Sequence, residues 1–288
     1  MTRACPGPNA PVAPRRKAPP GTVDTHMHVF GPYDKFPLAE DRTYTCPPAT
    51  VADYDKLKAA LGIDACVIVH GGANGRNLDV TIDALKQWGD KARAVGVLAP
   101  EVTDAELRRL HDVGFRATRL TNALKNGVRL DHLETMAAKI KPLGWHIQIY
   151  TADADEMGAI APRLARLPVD VVIDHMGHVR APHGVDHPGF RALLDLVRGG
   201  RCWVKLSAPY RLNSQPAPWA DVTPLAKALI AVRPDRMLWA SDWPHVMAWE
   251  FPMPDAAATL DWAQAWGVDD AGLKQILVDN PRRLFWGS

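Results

Sequence analysis

The chain has 288 residues, 47% of them hydrophobic and 23% charged, which suits one large globular domain with a full hydrophobic core. Its net charge is +2, but Arg3, Arg15, Arg16 and Lys17 lie in the first 23 residues without an acidic residue, so the remainder carries −2. This balance excludes nucleic acid or an anionic membrane as the main partner, since either needs a concentrated basic surface.

The first twenty residues predict a disordered, Pro-rich tail, because the stretch CPGPNAPVAPRRKAPPG has neither helical nor strand periodicity. The four cysteines are widely spaced and form no CxxC pair, which favours free thiols in a reducing compartment. We find no apolar stretch typical of a signal peptide or of a transmembrane helix of about 18 residues. A cytoplasmic protein is the resulting expectation.

From residue 21 onward, short runs rich in β-branched residues alternate with helical patterns. The eight runs are TVDTHMHVF, ACVIVHG, ARAVGVL, FRATRLT, WHIQIYT, DVVIDHMG, CWVKLSA and RMLWASDW. One helical pattern, TDAELRRLHDVG, has Thr103 as its predicted N-cap and Gly114 at its end. Eight strand–helix units favour the α/β class and a single-domain (β/α)₈ TIM barrel over residues 21–288. An open doubly wound sheet is the alternative, but no GxGxxG follows the first run, and GGANG has the spacing of a plain turn.

Ionisable side chains stand at the carboxyl ends of these runs, where a barrel builds its active site. His26 and His28 share one face of the first strand because strand side chains alternate. His175 ends the sixth run, and Asp242 ends the eighth. A single buried histidine is usually a hydrogen-bonded core residue, but a carboxylate in an apolar strand costs several kcal/mol unless a cation or metal neutralises it. We therefore predict that these four side chains meet in one pocket.

Further polar residues at the same ends are candidates for substrate binding. Arg119 and Arg211 are predicted to hold a substrate carboxylate by charge-assisted hydrogen bonds, although Arg119 fits a structural ion pair equally well. The side chains expected to line the entrance are Tyr44, Tyr150 and His245. No serine elbow or Cys/His pair is present, which argues against a covalent acyl-enzyme.

The pair HxH, with His175 and Asp242, resembles the amidohydrolase superfamily of (β/α)₈ hydrolases. The motifs VDTHMHVFGP, VIDHMGH, WASDWPH and VDNPRRLFW, in this order, are similar to the lactonase branch that contains 2-pyrone-4,6-dicarboxylate hydrolase. The resemblance runs from about Gly21 to Trp286 and implies hydrolysis of a lactone in the breakdown of aromatic compounds or sugar acids. Where this branch is expected to carry further arginines, the chain has Asn122, Lys125, Asn126 and His178, so a lactone with one acidic arm, or a sulfonated or hydroxylated one, fits as well as the dicarboxylate.

The resemblance also bears on metals and mechanism. Because Arg119 replaces a bridging lysine and Tyr150 replaces a histidine, a binuclear centre is not expected, and the pyrone hydrolase branch is thought to work without a metal. From residue chemistry alone, His26, His28 and Asp242 can hold one zinc ion. Asp242 is the predicted general base, and His26, His28 and His175 are predicted to stabilise the oxyanion.

Two other classes stay open at this point. A lactone isomerase or a decarboxylase on the same barrel would use the same groups for proton transfer, and a non-catalytic barrel would only bind a small acid. Trp249, Phe251 and Trp266 fit either helix packing or a contact between copies of the chain, so a homo-oligomer is also an open alternative.

Overall fold

The predicted (β/α)₈ barrel is confirmed by the computed structural model, which describes residues 2–287. All neighbouring strands in the eight-stranded sheet are parallel and follow the chain order. The first and last strands meet through a parallel bridge between Met27 and Trp243, so the sheet closes on itself. The strands are β1 (Val23–Met27), β2 (Ala65–Val69), β3 (Ala92–Gly96), β4 (Phe115–Thr121), β5 (His146–Tyr150), β6 (Val171–Ile173), β7 (Cys202–Leu206) and β8 (Met237–Trp239).

Helices connect the strands and cover the barrel. Thr103 caps its helix as predicted, because its side chain accepts a hydrogen bond from the Glu106 amide, and Gly114 ends the helix with a φ of 123°. The GGANG segment is a single 3₁₀ turn, Gly72–Asn74. Among residues 2–287, no helix is long and apolar enough to cross a bilayer. The helices are α1 (Val51–Leu61), α2 (Asp79–Trp88), α3 (Asp104–Val113), α4 (Leu133–Ile140), α5 (Ala154–Leu164), α6 (Pro188–Arg198), α7 (Pro209–Leu212), α8 (Thr223–Val232), α9 (Ala256–Ala263), α10 (Asp270–Lys274) and α11 (Asn280–Trp286).

Side chains inside the barrel are stacked in layers that change from apolar to ionic. The apolar layer lies toward the amino-terminal ends of the strands, where Phe285 of α11 packs against it; its other members are Val23, Ala65, Val67, Val69, Val95, Ala117, Val172, Trp203 and Leu238. Two residues further along three of these strands, the buried side chains are charged: Arg119, Asp174 and Lys205. The buried Gln148 of β5 is hydrogen-bonded to two of them, Asp174 and Lys205. This ionic layer forms the floor of the pocket.

An irregularity in β1 directs the HxH pair into the barrel. Val23 belongs to the inner apolar layer, whereas Met27 packs in the outer core between strands and helices. The pairing with β2 shifts register between Asp24 and Met27, as a β-bulge does, and this changes which residues face inward. His26 and His28 consequently point to the barrel axis together.

Residues 2–20, the predicted disordered tail, lie along the barrel in the structure. The short strand Arg3–Ala4 pairs in parallel with Tyr44–Thr45, and the amide of Ala18 donates to Leu61 O at 3.1 Å. Cys5 and Ala18 are buried. These contacts differ from the solvated extension predicted from composition, because a few backbone hydrogen bonds and small apolar side chains leave no periodic signal. The division at residue 20 stays a prediction.

Candidate active site

The four predicted catalytic side chains converge at the carboxyl ends of the strands. The Nε2 atoms of the three imidazoles lie 3.7 Å (His26), 3.9 Å (His28) and 3.6 Å (His175) from Asp242 Oδ1. None of the four residues is more than 3% exposed. The predicted shared pocket is thus confirmed by the geometry, whereas the roles of its members stay predictions.

Left-handed backbone conformations direct two of these side chains inward. His175 has a φ of 47° and Asp242 a φ of 59°; they lie two and three residues past the ends of β6 and β8, respectively. Residues other than glycine rarely adopt this region, and holding one there costs of order 1–3 kcal/mol. Such strain clusters at functional sites, which agrees with a constrained role for both residues.

The hydrogen bonds of the imidazoles set the direction of their lone pairs. His28 Nδ1 lies 2.7 Å from Val69 O, and because a carbonyl only accepts, Nδ1 carries the proton. His175 Nδ1 lies 2.8 Å from Ser207 Oγ, whose own proton goes to Lys205 O. Both Nε2 atoms therefore present lone pairs to the pocket. This tautomer corrects the predicted donation of hydrogen bonds to a substrate carbonyl, because these two nitrogens accept.

His26 is held by the ionic layer beneath it. Its Nδ1 lies 3.2 Å from Asp174 Oδ1 and 3.3 Å from Lys205 Nζ. Asp174 Oδ2 accepts from Arg119 Nε at 2.9 Å and from Gln148 Nε2 at 3.1 Å, and Lys205 Nζ donates to Gln148 Oε1 at 2.8 Å. Asp174, Lys205 and Gln148 were not among the predicted site residues, although a lysine inside an apolar run is a visible signal.

The protonation states follow from burial and neighbouring charges. Burial lowers the pKa of His26 to about 4 and that of His28 to about 3, so both rings are neutral at neutral pH. Burial acts to raise the pKa of the Asp242 carboxyl, but the attraction of His175, in the acid range where its ring is protonated, and of Arg211 outweighs it and holds this pKa well below the ordinary value. At neutral pH an ionised carboxylate therefore faces neutral imidazoles.

The second oxygen of Asp242 is fully engaged. Asp242 Oδ2 accepts from Tyr210 Oη at 2.5 Å and from Arg211 Nε at 3.1 Å. These bonds leave Oδ1 as the oxygen that faces the imidazoles. His245, predicted to line the entrance, instead lies behind the carboxylate with its Nδ1 at 3.1 Å from Tyr210 Oη. Tyr210 itself lies on α7 and was not predicted.

A small cavity lies over this group. Its walls contain four of the predicted substrate-binding residues, but both arginines are paired with carboxylates of the chain, Arg119 with Asp174 and Arg211 with Asp242. The lining residues are His28, Tyr44, Arg119, Leu124, Tyr150, His175, Arg211, Asp242, Val246 and Met247.

Two other predicted substrate residues are placed differently. Asn122 does not line the cavity, because its Nδ2 donates to Glu156 Oε1 at 2.9 Å and its Oδ1 accepts from the Leu130 amide. His178 is half-buried with its ring 4.6 Å from that of Tyr150, and its buried Nδ1 has no hydrogen-bond partner among the described residues. Asn122 therefore supports the loop, whereas His178 lies beside the cavity wall.

The residues at the centre fit one divalent cation. Three Nε2 atoms and Asp242 Oδ1 face one another, and His26 Nε2 is buried without a hydrogen-bond partner in the described part of the chain. The Nε2 lone pairs of His28 and His175 and the ionised carboxylate oxygen gather in this way only around a positive centre or hydrogen-bond donors, and nitrogen and oxygen ligands suit zinc. The predicted trio fits this role, because ligand atoms of His26, His28 and Asp242 all lie within 4.8 Å of one another; ligand atoms of His26, Asp174 and His175 form a second such group.

Comparisons with known proteins agree with this geometry. The profile of the amidohydrolase family matches residues 23–286. The chain is 35% identical to a 4-sulfomuconolactone hydrolase of Hydrogenophaga intermedia, over 98% of this chain and 94% of that protein. It is 36% identical to a 2-pyrone-4,6-dicarboxylate hydrolase of Comamonas testosteroni, over 96% and 93% respectively. A crystal structure of an Agrobacterium tumefaciens protein superposes with a TM-score of 0.83 at 28% identity, over 96% of this chain and 99% of that one.

Proposed function

Because this chain belongs to the amidohydrolase family, we propose that it opens the ring of a small acidic lactone by adding a water molecule. One observation carries the proposal: the ionised Oδ1 of Asp242 lies 3.6–3.9 Å from three imidazole nitrogens in a buried pocket. A carboxylate in this position has no structural partner on Oδ1, but it can take a proton from water. The lactone hydrolases among the relatives support the substrate class.

Asp242 acts as the general base. Tyr210 and Arg211 hold Oδ2, so the lone pair of Oδ1 stays directed into the pocket. A water there donates one proton to Oδ1 and, where no metal ion occupies the imidazole nitrogens, the other to the Nε2 lone pair of His28 or His175. Its oxygen lone pair is then free to attack the lactone carbonyl. General-base catalysis of this kind contributes about 10²–10⁴ in rate.

The two arginines have separate roles, one at the oxyanion and one at the substrate carboxylate. Arg211 is ion-paired with Asp242, beside the position of the reacting carbonyl, and its Nη1 can stabilise the oxyanion. Arg119 stacks its guanidinium 4.6 Å from the Tyr150 ring centre and offers N–H donors to a substrate carboxylate. When the C–O bond of the ring breaks, Asp242 returns its proton to the departing oxygen. The product is a ring-opened acid.

One divalent ion such as zinc would be held by His26, His28 and Asp242, and when bound it would supply a Lewis acid at this position. The donor chemistry of these residues supports this assignment over the metal-free form expected from the resemblance. Elemental analysis of the purified protein, before and after chelation, measures the ion directly.

A lactone screen in ¹⁸O-labelled water tests the proposed reaction. The screen contains pyrone dicarboxylate, muconolactones and aldonolactones, with and without chelator. We expect one labelled oxygen in the new carboxylate, and none from the variant Asp242→Asn. A product without label would assign the protein as an isomerase or decarboxylase, and binding without turnover would assign it as a non-catalytic barrel.

We propose a cytoplasmic location as well. All four cysteines, Cys5, Cys46, Cys66 and Cys202, are free thiols, which supports a reducing compartment. Cell fractionation followed by immunoblotting checks this placement. A homo-oligomer stays a prediction, for which light scattering is the measurement.

A further inference from the structure

We infer that the substrate of this pocket carries one anionic group and that its second arm is uncharged. The inference rests on the proposed lactone hydrolysis and concerns the same cavity. It goes further because the two hydrolases compared above are named for substrates with two acidic groups, a dicarboxylate and a sulfonated muconolactone.

The supply of positive charge at the cavity wall is small. Among the described lining residues, only Arg119 and Arg211 are cationic. Nε and Nη2 of Arg119 both lie 2.9 Å from Asp174 Oδ2, and Arg211 reaches Asp242 Oδ2 at 3.1 Å and Val246 O at 2.7 Å. Each guanidinium thus shares its charge with a carboxylate of the chain, and only Nη1 is without a partner among residues 2–287.

The position of Arg211 removes it as a second anion site. Its Nε bond helps to keep Asp242 ionised, and an anion next to Arg211 would lie close to that negative charge. Like charges at this distance raise the pKa of the base and weaken its ionised form. Arg119, beside the Tyr150 ring, is therefore the one place where the wall favours a substrate carboxylate.

Another part of the wall is apolar. Leu124, Val246 and Met247 line it, together with the ring of Tyr44. A sulfonate or carboxylate placed there would lose water without gaining a partner, which costs several kcal/mol even when part of the hydration is kept. An alkyl or hydrogen substituent on the lactone ring meets no such cost.

The polar residues of the neighbouring loop are turned away from this wall. Asn122 bonds Glu156, and Asn126 Nδ2 donates to Gly72 O at 2.7 Å. Lys125 is exposed and does not line the cavity. The loop therefore supplies no cation to a second acidic arm.

Two matched pairs of substrates test the inference. Muconolactone differs from 4-sulfomuconolactone by the sulfonate, and 2-pyrone-6-carboxylate differs from 2-pyrone-4,6-dicarboxylate by one carboxylate. We expect kcat/KM for the monoanion to exceed that for the dianion by about 100-fold in each pair, which corresponds to about 2.7 kcal/mol. Equal or faster hydrolysis of the dianions overturns the inference.

A variant places the missing charge on the apolar wall. Leu124→Arg is expected to raise the dianion-to-monoanion ratio of kcat/KM at least tenfold in the muconolactone pair. The control Lys125→Leu changes an exposed neighbour outside the cavity and should leave the ratio as in the unaltered protein. An unchanged ratio in a folded Leu124→Arg protein contradicts the placement of the second arm.

The failure of the proposed function is separately visible. If none of the four lactones is hydrolysed under any metal condition, lactone hydrolysis is refuted. Titration calorimetry of the same four compounds then decides the charge preference alone. Tighter binding of the monoanions supports the inference, and tighter binding of the dianions overturns it.

Discussion

The hydrogen bond from Tyr210 to Asp242 gives a quantitative test of the general base. Tyr210→Phe removes one of the two donors on Asp242 Oδ2 and leaves the ring in place. A hydrogen bond to a charged group contributes about 1.5–3 kcal/mol, and one pKa unit corresponds to 1.36 kcal/mol. The pKa of Asp242 should therefore rise by about one to two units in the variant.

The direction of the shift in the pH profile follows from the protonation state in which Asp242 is active. In the proposed mechanism Asp242 works as a carboxylate, and its pKa in the folded protein lies well below the ordinary value. Loss of a donor to the charged form raises that pKa, so activity is lost at a higher pH than in the unaltered enzyme. The acid limb of the profile of kcat/KM against pH should move upward by about one to two pH units.

A matched substitution separates this effect from a general loss of stability. Tyr54 Oη donates to Asp24 Oδ2 at 2.9 Å, which is another buried tyrosine–carboxylate bond outside the cavity. Tyr54→Phe should lower the free energy of unfolding to a similar degree but leave the acid limb unmoved. The reasoning is refuted if Tyr210→Phe leaves the limb in place, or if both variants move it equally.

Three further predictions use the same assays. Asp242→Asn should lower kcat by about 10²–10⁴ with an unchanged circular dichroism spectrum, and turnover at the unaltered rate would remove Asp242 as the base. Arg119→Lys keeps the positive charge but loses the two parallel N–H donors of the guanidinium, so it should mainly raise KM, whereas Arg211→Lys should mainly lower kcat. Equal effects of the two variants on KM would contradict their separate roles. Burial lowers the pKa of His146 to about 3. Between about pH 6.5 and this value, His146 is protonated in the unfolded chain but neutral in the folded protein. The free energy of unfolding therefore falls as the pH falls. In urea titrations from pH 6 to 4, His146→Met should reduce this dependence by about 1.4 kcal/mol per pH unit, and equal slopes would disprove the assignment.

The barrel and the central residues could be predicted because both depend on local periodicity. Each of the eight apolar runs contains a strand, since β-branched runs between helical patterns leave few alternatives. His26 and His28 were placed together by strand alternation, and His175 and Asp242 by their positions at strand ends. These inferences need only the order of elements and the rule that a barrel builds its site at one end.

Contacts between distant loops could not be predicted in this way. Asn122 was expected at the substrate, but its amide reaches Glu156 on α5, a partner that no local pattern identifies. Tyr210 and Arg211 reach Asp242 because Ala208 turns the chain with a φ of 51° after β7. A left-handed alanine has no sequence signature, since glycine is the residue that usually marks such a turn.

Asp174 and Lys205 are a different case, because the sequence carries their signals. Lys205 stands two residues after Trp203, whose side chain packs inside the barrel, so strict alternation already directs the lysine inward. Asp174 directly precedes His175, and in a regular strand adjacent residues face opposite sides, which argues against both lying in one pocket. The left-handed conformation of His175, with a φ of 47°, ends the alternation at that residue. Both side chains then face the same centre: Asp174 lies 3.2 Å from His26 Nδ1, and His175 reaches Asp242 at 3.6 Å. Strand alternation, which predicted the HxH pair, thus no longer applies past the end of a strand. There the strained backbone conformation determines where the proposed catalytic groups point.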